Sequence, residues 1–160
     1  RQGASPAVIG LIFAIGGAGS IVGAVVAPAV RRRFSFRQVI VGTMWLTALL
    51  WPLYAIAPNP LLLGVVTAAL FLVGPMYDVM QFSYRLSLIP DELQGRVNSV
   101  FRLLAFGFQP LGAGLTGVLL QTISPAPTVL ALFVVLLALA WLTSVNQHVR
   151  AAQAITVSAR

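Results

Sequence analysis

Five long apolar segments, separated by short polar or proline-rich connections, dominate the hydrophobic pattern of this chain. An α-helix rises about 1.5 Å per residue and needs about 20 apolar residues to cross a hydrocarbon core of about 30 Å. The apolar runs are continuous rather than alternating, which argues against the strands of a membrane barrel. The pattern therefore predicts an all-α, polytopic membrane protein with five transmembrane helices. These spans cover Ala7–Val30, Val39–Ala57, Leu61–Ile89, Val97–Thr122 and Thr128–Val145.

The composition supports a membrane location for most of the chain. Of its 160 residues, 59% are hydrophobic and only 8% are charged, whereas soluble domains average about 45–50% apolar and about 25% charged residues. So few polar residues cannot cover a folded surface in water, and lipid must be the main solvent. Cysteine is absent from the sequence, which excludes disulfides and thiolate metal sites, and we expect neither a metal nor another cofactor.

The net charge of +7 sits in short arginine clusters between the apolar runs. This distribution is typical of membrane topology signals, so nucleic acid is not an expected partner. All ten arginines except Arg1 fall on one side of the five spans, which predicts an external N-terminus and a cytoplasmic C-terminus. We interpret Arg31, Arg32 and Arg33 as the topology anchor, and a lipid-specific site is the alternative.

The sequence is organised as one five-span bundle over residues 1–150 and a cytoplasmic tail over residues 151–160. The chain begins with Arg1 rather than Met, and five spans with an external N-terminus indicate part of a larger protein. Motifs of metalloproteases and of phosphate-binding loops are absent. We therefore do not expect an enzyme.

The five spans differ in their small and polar residues. The second and fifth spans carry few polar groups at depth and are predicted to face lipid. Small residues at helical spacing let helix backbones approach closely, and such faces either pack statically or slide during transport. Pro110 also removes one backbone hydrogen bond from the fourth span. The predicted packing glycines are Gly16, Gly19 and Gly23 in the first span, and Gly107, Gly114 and Gly117 in the fourth.

The third span carries a polar helix face. Tyr77, Asp78, Gln81 and Arg85 recur at spacings of three, four and seven residues. An ionised carboxylate in lipid costs at least about 2.5–3.5 kcal/mol, so this face must point into the bundle or into water. Three interpretations of Asp78 remain open: an ion pair with Arg85 or Arg102, a proton or cation pathway, and solvation at the interface.

Several segments resemble transporters of the major facilitator superfamily. Residues Gly23–Phe34 resemble the eighth helix and the basic loop after it, and Pro90–Ser99 resembles the loop between the tenth and eleventh helices. Gly74–Gln81 and Phe101-Arg102 are similar to the drug-exporter branch, which includes enterobactin-exporter-like and macrolide-efflux-like members. Over Gly3–Arg150, the resemblance implies helices eight to twelve from the C-terminal half of a twelve-helix fold.

This resemblance implies a secondary-active exporter of small amphipathic molecules, of drug or siderophore type, that works by alternating access and is coupled to an ion. Its partners would be the lipid bilayer, a small-molecule substrate and the missing N-terminal part of the same transporter. The alternative is a truncated, non-transporting membrane protein or scaffold subunit. We expect a gate of Asp78, Arg85 and Arg102. The expected substrate-cavity residues are Phe13, Tyr77, Asp78, Gln81, Phe106 and Gln109.

Overall fold

The computed structural model describes residues 5–149, and within that range every regular element is an α-helix. The all-α fold class is therefore confirmed. The predicted tail 151–160 lies outside the described residues, as do Arg1 and Arg150. The helices are α1 (Pro6–Arg33), α2 (Phe36–Leu50), α3 (Leu53–Ile56), α4 (Pro60–Leu88), α5 (Asp91–Gly107), α6 (Gln109–Thr122) and α7 (Pro125–Val145).

The predicted number of membrane spans is also confirmed. Among the described residues, five helical segments are long and apolar enough to cross a membrane: α1, α2 with α3, α4, α5 with α6, and α7. The fourth span begins at Asp91 rather than at the predicted Val97, because the polar residues before Val97 are helical too. Asp91 and Glu92 lie in the first turn of α5, where carboxylates interact favourably with the helix dipole.

Prolines interrupt two of the spans. The second span breaks at Trp51-Pro52, between α2 and α3, and the fourth breaks at Phe108, two residues before Pro110. Proline has no backbone N–H, and its ring clashes with the carbonyl four residues earlier. The interruption predicted at Pro110 therefore appears as two helices, α5 and α6.

Polar side chains define where three helices begin. Ser5 and Asn59 accept backbone hydrogen bonds at the starts of α1 and α4. Ser35 forms a complete capping box with Gln38 at the start of α2. These caps satisfy backbone N–H groups that have no partner inside the helix. The chain can therefore reverse direction after α1 within two residues.

The most extensive helix contact in the described chain joins α1 and α4. Gly16, Gly19 and Gly23 are buried in it. A Cβ atom at Gly19 would overlap the backbone of Ala68, and one at Gly23 would overlap the carbonyl oxygen of Leu72. The two backbones lie this close because no side chain separates them.

The second span is more buried than its composition suggests. We expect it to face lipid, and α2 also contacts α4 and α7. Val39, Ile40 and Ala48 are buried, and the indole nitrogen of Trp45 donates a 2.9 Å hydrogen bond to Ser144 on α7. The positions of α2 that stay exposed recur at helical spacing: Gln38, Gly42, Leu46 and Leu49. The lipid-facing role of this span therefore stays a prediction. Lipid tails and protein cores are equally apolar, so hydropathy alone does not separate a buried face from a lipid-facing one.

The fourth span packs least. No residue of α5 or α6 is buried, and its contacts within the described chain are few. A Cβ atom added at Gly107, Gly114 or Gly117 would meet nothing within 4 Å. The packing role of these three glycines stays a prediction.

Candidate functional site

The polar face of α4 forms as predicted along the helix. The amide nitrogen of Gln81 donates a 2.9 Å hydrogen bond to the hydroxyl of Tyr77, one turn away. Tyr77 packs in turn against a buried cluster that contains Phe36 and Met80. The cluster and the hydrogen bond together hold the Tyr77 and Gln81 side chains in one orientation.

Asp78 lies on the same face but is exposed on the bundle. It lines a small pocket of about 180 Å³ between α2 and α4, together with Tyr77, Thr43 and Thr47. Within residues 5–149, its carboxylate forms no hydrogen bond and no ion pair shorter than 4 Å. An ionised carboxylate left in hydrocarbon is costly, so this position requires water or a further polar partner.

Arg85 is not paired directly with Asp78. Seven residues separate them, which is a rise of about 10.5 Å along a helix. The Arg85 guanidinium instead stacks on the ring of Phe101 from α5, with its central carbon 3.5 Å from the ring centroid. Its Nε and Nη1 atoms are buried and have no hydrogen-bond partner among the described residues. The structure therefore holds Arg85 by a cation–π contact and leaves two of its donor atoms free.

A larger opening lies at the arginine-rich end of α1. This cleft, called here the arginine cleft, has a volume of about 600 Å³ and lies between the end of α1, the start of α2 and the end of α4. Arg31 crosses it and donates a 3.0 Å hydrogen bond to the hydroxyl of Ser83. Phe36 and Tyr84 stack beneath it, with ring centroids 4.2 Å apart.

The sequence model of the MFS_1 like family matches residues 1–147. The chain belongs to this family. Membership places the chain in the major facilitator superfamily as a multi-pass membrane protein, and points to a transporter rather than an enzyme. No curated protein and no solved structure matches the chain.

The remaining residues predicted for the cavity and the gate of this family member lie apart. Phe13 on α1 and Phe106 on α5 are 62% and 63% exposed, and Gln109 and Arg102 are exposed too. None of these four side chains forms a hydrogen bond or ion pair with another residue in the range 5–149. The structure thus joins Tyr77 with Gln81 and places Asp78 beside Tyr77 in one small pocket. It does not bring the other predicted residues to them: Phe13, Phe106, Gln109 and Arg102.

Sequence reasoning missed Phe101 as the partner of Arg85, and it missed Ser83 as the partner of Arg31. Ser83 had a usable signal, because it is a hydroxyl residue near the end of α4. The predicted topology places this end on the same side of the membrane as the arginines that end α1. Phe101 had none, since a phenylalanine in an apolar span is ordinary. No group of three or more potential metal ligands occurs among the described residues.

Proposed function

We propose that this chain forms helices eight to twelve of a secondary-active exporter that moves small amphipathic molecules outward by alternating access. Family membership supports transport in general. Export, the drug or siderophore type of substrate, and ion coupling are our extension. The missing N-terminal part would complete the transporter, in a bacterial inner membrane with the C-terminus in the cytoplasm.

The observation that carries the proposal is the uncovered polar face of α4. The spans formed by α1, α2, α4 and α7 contact one another, yet Asp78 stays exposed and forms no hydrogen bond or ion pair with residues 5–149. A carboxylate at this depth is stable only against water or a polar partner. A water-filled pathway along α4 satisfies that requirement, and it is also what a transporter needs.

The same face suggests how a gate works. Arg85 rests on Phe101 in this structure, and its free donor atoms suit a carboxylate. We assign the cytoplasmic gate to Asp78, Arg85 and Arg102, which exchange partners as that side opens and closes. Phe13, Phe106 and Gln109 would face the cavity together with Tyr77 and Gln81, because apolar surface with a few orienting polar groups suits amphipathic ligands.

Export by the full-length protein tests the gate. We expect Asp78→Asn and Arg85→Gln each to lower the export rate at least about tenfold, or about 1.4 kcal/mol. If the two side chains act in one gate through shared partners, the double variant loses no more activity than either single variant. Glu92→Gln is the matched control, because Glu92 is an exposed acid at the start of α5 and its loss leaves the rate unchanged.

Two results would contradict this assignment. Unchanged export in both single variants would remove Asp78 and Arg85 from the pathway. Losses that simply add in the double variant would show that the two residues act separately.

The scaffold alternative is tested by the mass of the native protein in membranes. A twelve-helix transporter has a mass of about 40–45 kDa, with about 20 residues per span plus loops. A native protein no larger than 17.0 kDa would carry only these five spans. It would favour the hypothesis of a truncated, non-transporting membrane protein or scaffold subunit.

A further inference from the structure

The arginine cleft concentrates positive charge beside apolar surface. Arg31, Arg32 and Arg33 line it, and none of the residues that line it is acidic. Arg31 is bonded to Ser83, but Arg32 and Arg33 form no hydrogen bond or ion pair in the part of the chain that the structure describes. Each guanidinium carries five N–H donors, so the cleft holds a surplus of donors without acceptors.

Helix ends modify this charge only slightly. The C-terminal ends of α1 and α4 each contribute about half a negative charge, and the N-terminal end of α2 contributes about half a positive charge. The sum is about half a negative charge, against three full positive charges from the arginines. The cleft therefore attracts anions.

The chemistry of the cleft fits a phosphate group better than a simple carboxylate. Arginine binds carboxylate and phosphate oxygens alike in a bidentate geometry, so the size of the cleft has to separate the two ligands. On the opposite wall, the hydroxyl of Ser83 accepts the hydrogen bond from Arg31 and keeps its own proton for a phosphate oxygen. The hydroxyl of Ser87 also lines the cleft, but it donates to the carbonyl of Tyr84. A volume of about 600 Å³ exceeds what one carboxylate group fills and lies in the range of small-molecule sites.

The apolar wall of the cleft distinguishes a lipid from a soluble phosphate compound. Phe36, Met80 and Tyr84 form one side, and Phe34 is 47% exposed at the rim. All of this lies where α1 and α4 end. These helices have 28 and 29 residues and are therefore longer than a hydrocarbon core of about 30 Å, so we expect their ends to reach the level of the lipid headgroups. Basic pockets between transmembrane helices are known places for anionic headgroups.

We propose that the arginine cleft binds the phosphate headgroup of an anionic phospholipid, with the start of an acyl chain against Phe34 and Met80. The site is separate from the polar face around Asp78 and does not depend on transport. It gives the three arginines a ligand in addition to their predicted role as topology anchor.

The test uses the full-length protein in nanodiscs that contain equal amounts of phosphatidylglycerol and phosphatidylcholine. Native mass spectrometry then counts the phosphatidylglycerol molecules that stay bound after release into detergent. We expect Arg32→Gln with Arg33→Gln to lower phosphatidylglycerol retention about fivefold per arginine. Ser83→Ala with Ser87→Ala also lowers it, without any change of charge.

The matched control is Arg37→Gln with Arg96→Gln. It removes the same net charge from residues that do not line the cleft, and we expect it to leave retention unchanged. An equal loss in this control would overturn the proposal, because retention would then follow overall charge rather than a site. Unchanged retention in both cleft variants would overturn it as well.

A third arm separates lipid from soluble phosphate. Short-chain phosphatidylglycerol should compete for the cleft, whereas glycerol phosphate, the headgroup without acyl chains, should not. If glycerol phosphate competes equally well, the ligand is a soluble phosphate compound and the lipid assignment is wrong.

Discussion

Glycines recur both in α1 and in the fourth span, but the two sets have different surroundings. Gly16, Gly19 and Gly23 lie against the backbone and side chains of α4. Gly107 at the end of α5 and Gly114 and Gly117 in α6 recur at intervals of seven and three residues, yet a Cβ atom at any of them would meet open space. A small-residue stripe thus shows that a helix can be approached closely, but it does not show which partner approaches.

The largest expected effect breaks the α1 stripe. Gly19→Ala should lower the free energy of unfolding by about 2–3 kcal/mol, because the new Cβ overlaps the backbone of Ala68 and backbone cannot move aside. Gly17→Ala is the control on the same helix, where a Cβ meets nothing within 4 Å. Denaturant titration in detergent measures both variants, and equal stabilities would refute the close α1–α4 contact.

Gly114 represents the open glycines of the fourth span. Gly114→Leu should change the stability of the 160-residue chain by less than about 0.5 kcal/mol, since the position is open. In the full-length transporter, we expect a loss of about 2 kcal/mol, because helices from the missing part would cover this face. The same titration compares both forms, and no loss in the longer protein would mean that the stripe faces lipid.

The smallest expected effect concerns the pair α2 and α7, which meet without glycines. Trp45→Phe removes the hydrogen bond to Ser144 and should cost about 0.6–1 kcal/mol, as for hydrogen bonds between transmembrane helices. Trp141→Phe is the control, because Trp141 is 62% exposed. Thermal unfolding in detergent resolves the two, and an equal shift of Tm in both would contradict a specific role for the hydrogen bond.

Much of the fold follows from local sequence. The five apolar runs, the break associated with Pro110 and the shared face of Tyr77 and Gln81 depend on residues close together in the chain. Helix periodicity and proline chemistry are local effects, so they could be predicted without knowledge of the partners.

The candidate site was less predictable. Arg85 contacts Phe101 on the next span, and Arg31 contacts Ser83 at a separation of 52 residues. Both contacts depend on how helices are placed beside one another. Residue type alone suggested Asp78 as the partner of Arg85, but helix rise keeps the two about 10.5 Å apart along the axis.

Composition and segment length were enough to predict an all-helical membrane protein with five spans, because they decide the transfer of each segment from water to an apolar environment. Which apolar faces meet each other and which stay open depends on how the helices are placed in three dimensions, as the partly buried α2 and the exposed fourth span show. The physical reason is that lipid and protein interior are equally apolar. Helix pairing in a membrane therefore depends on shape and on a few polar contacts.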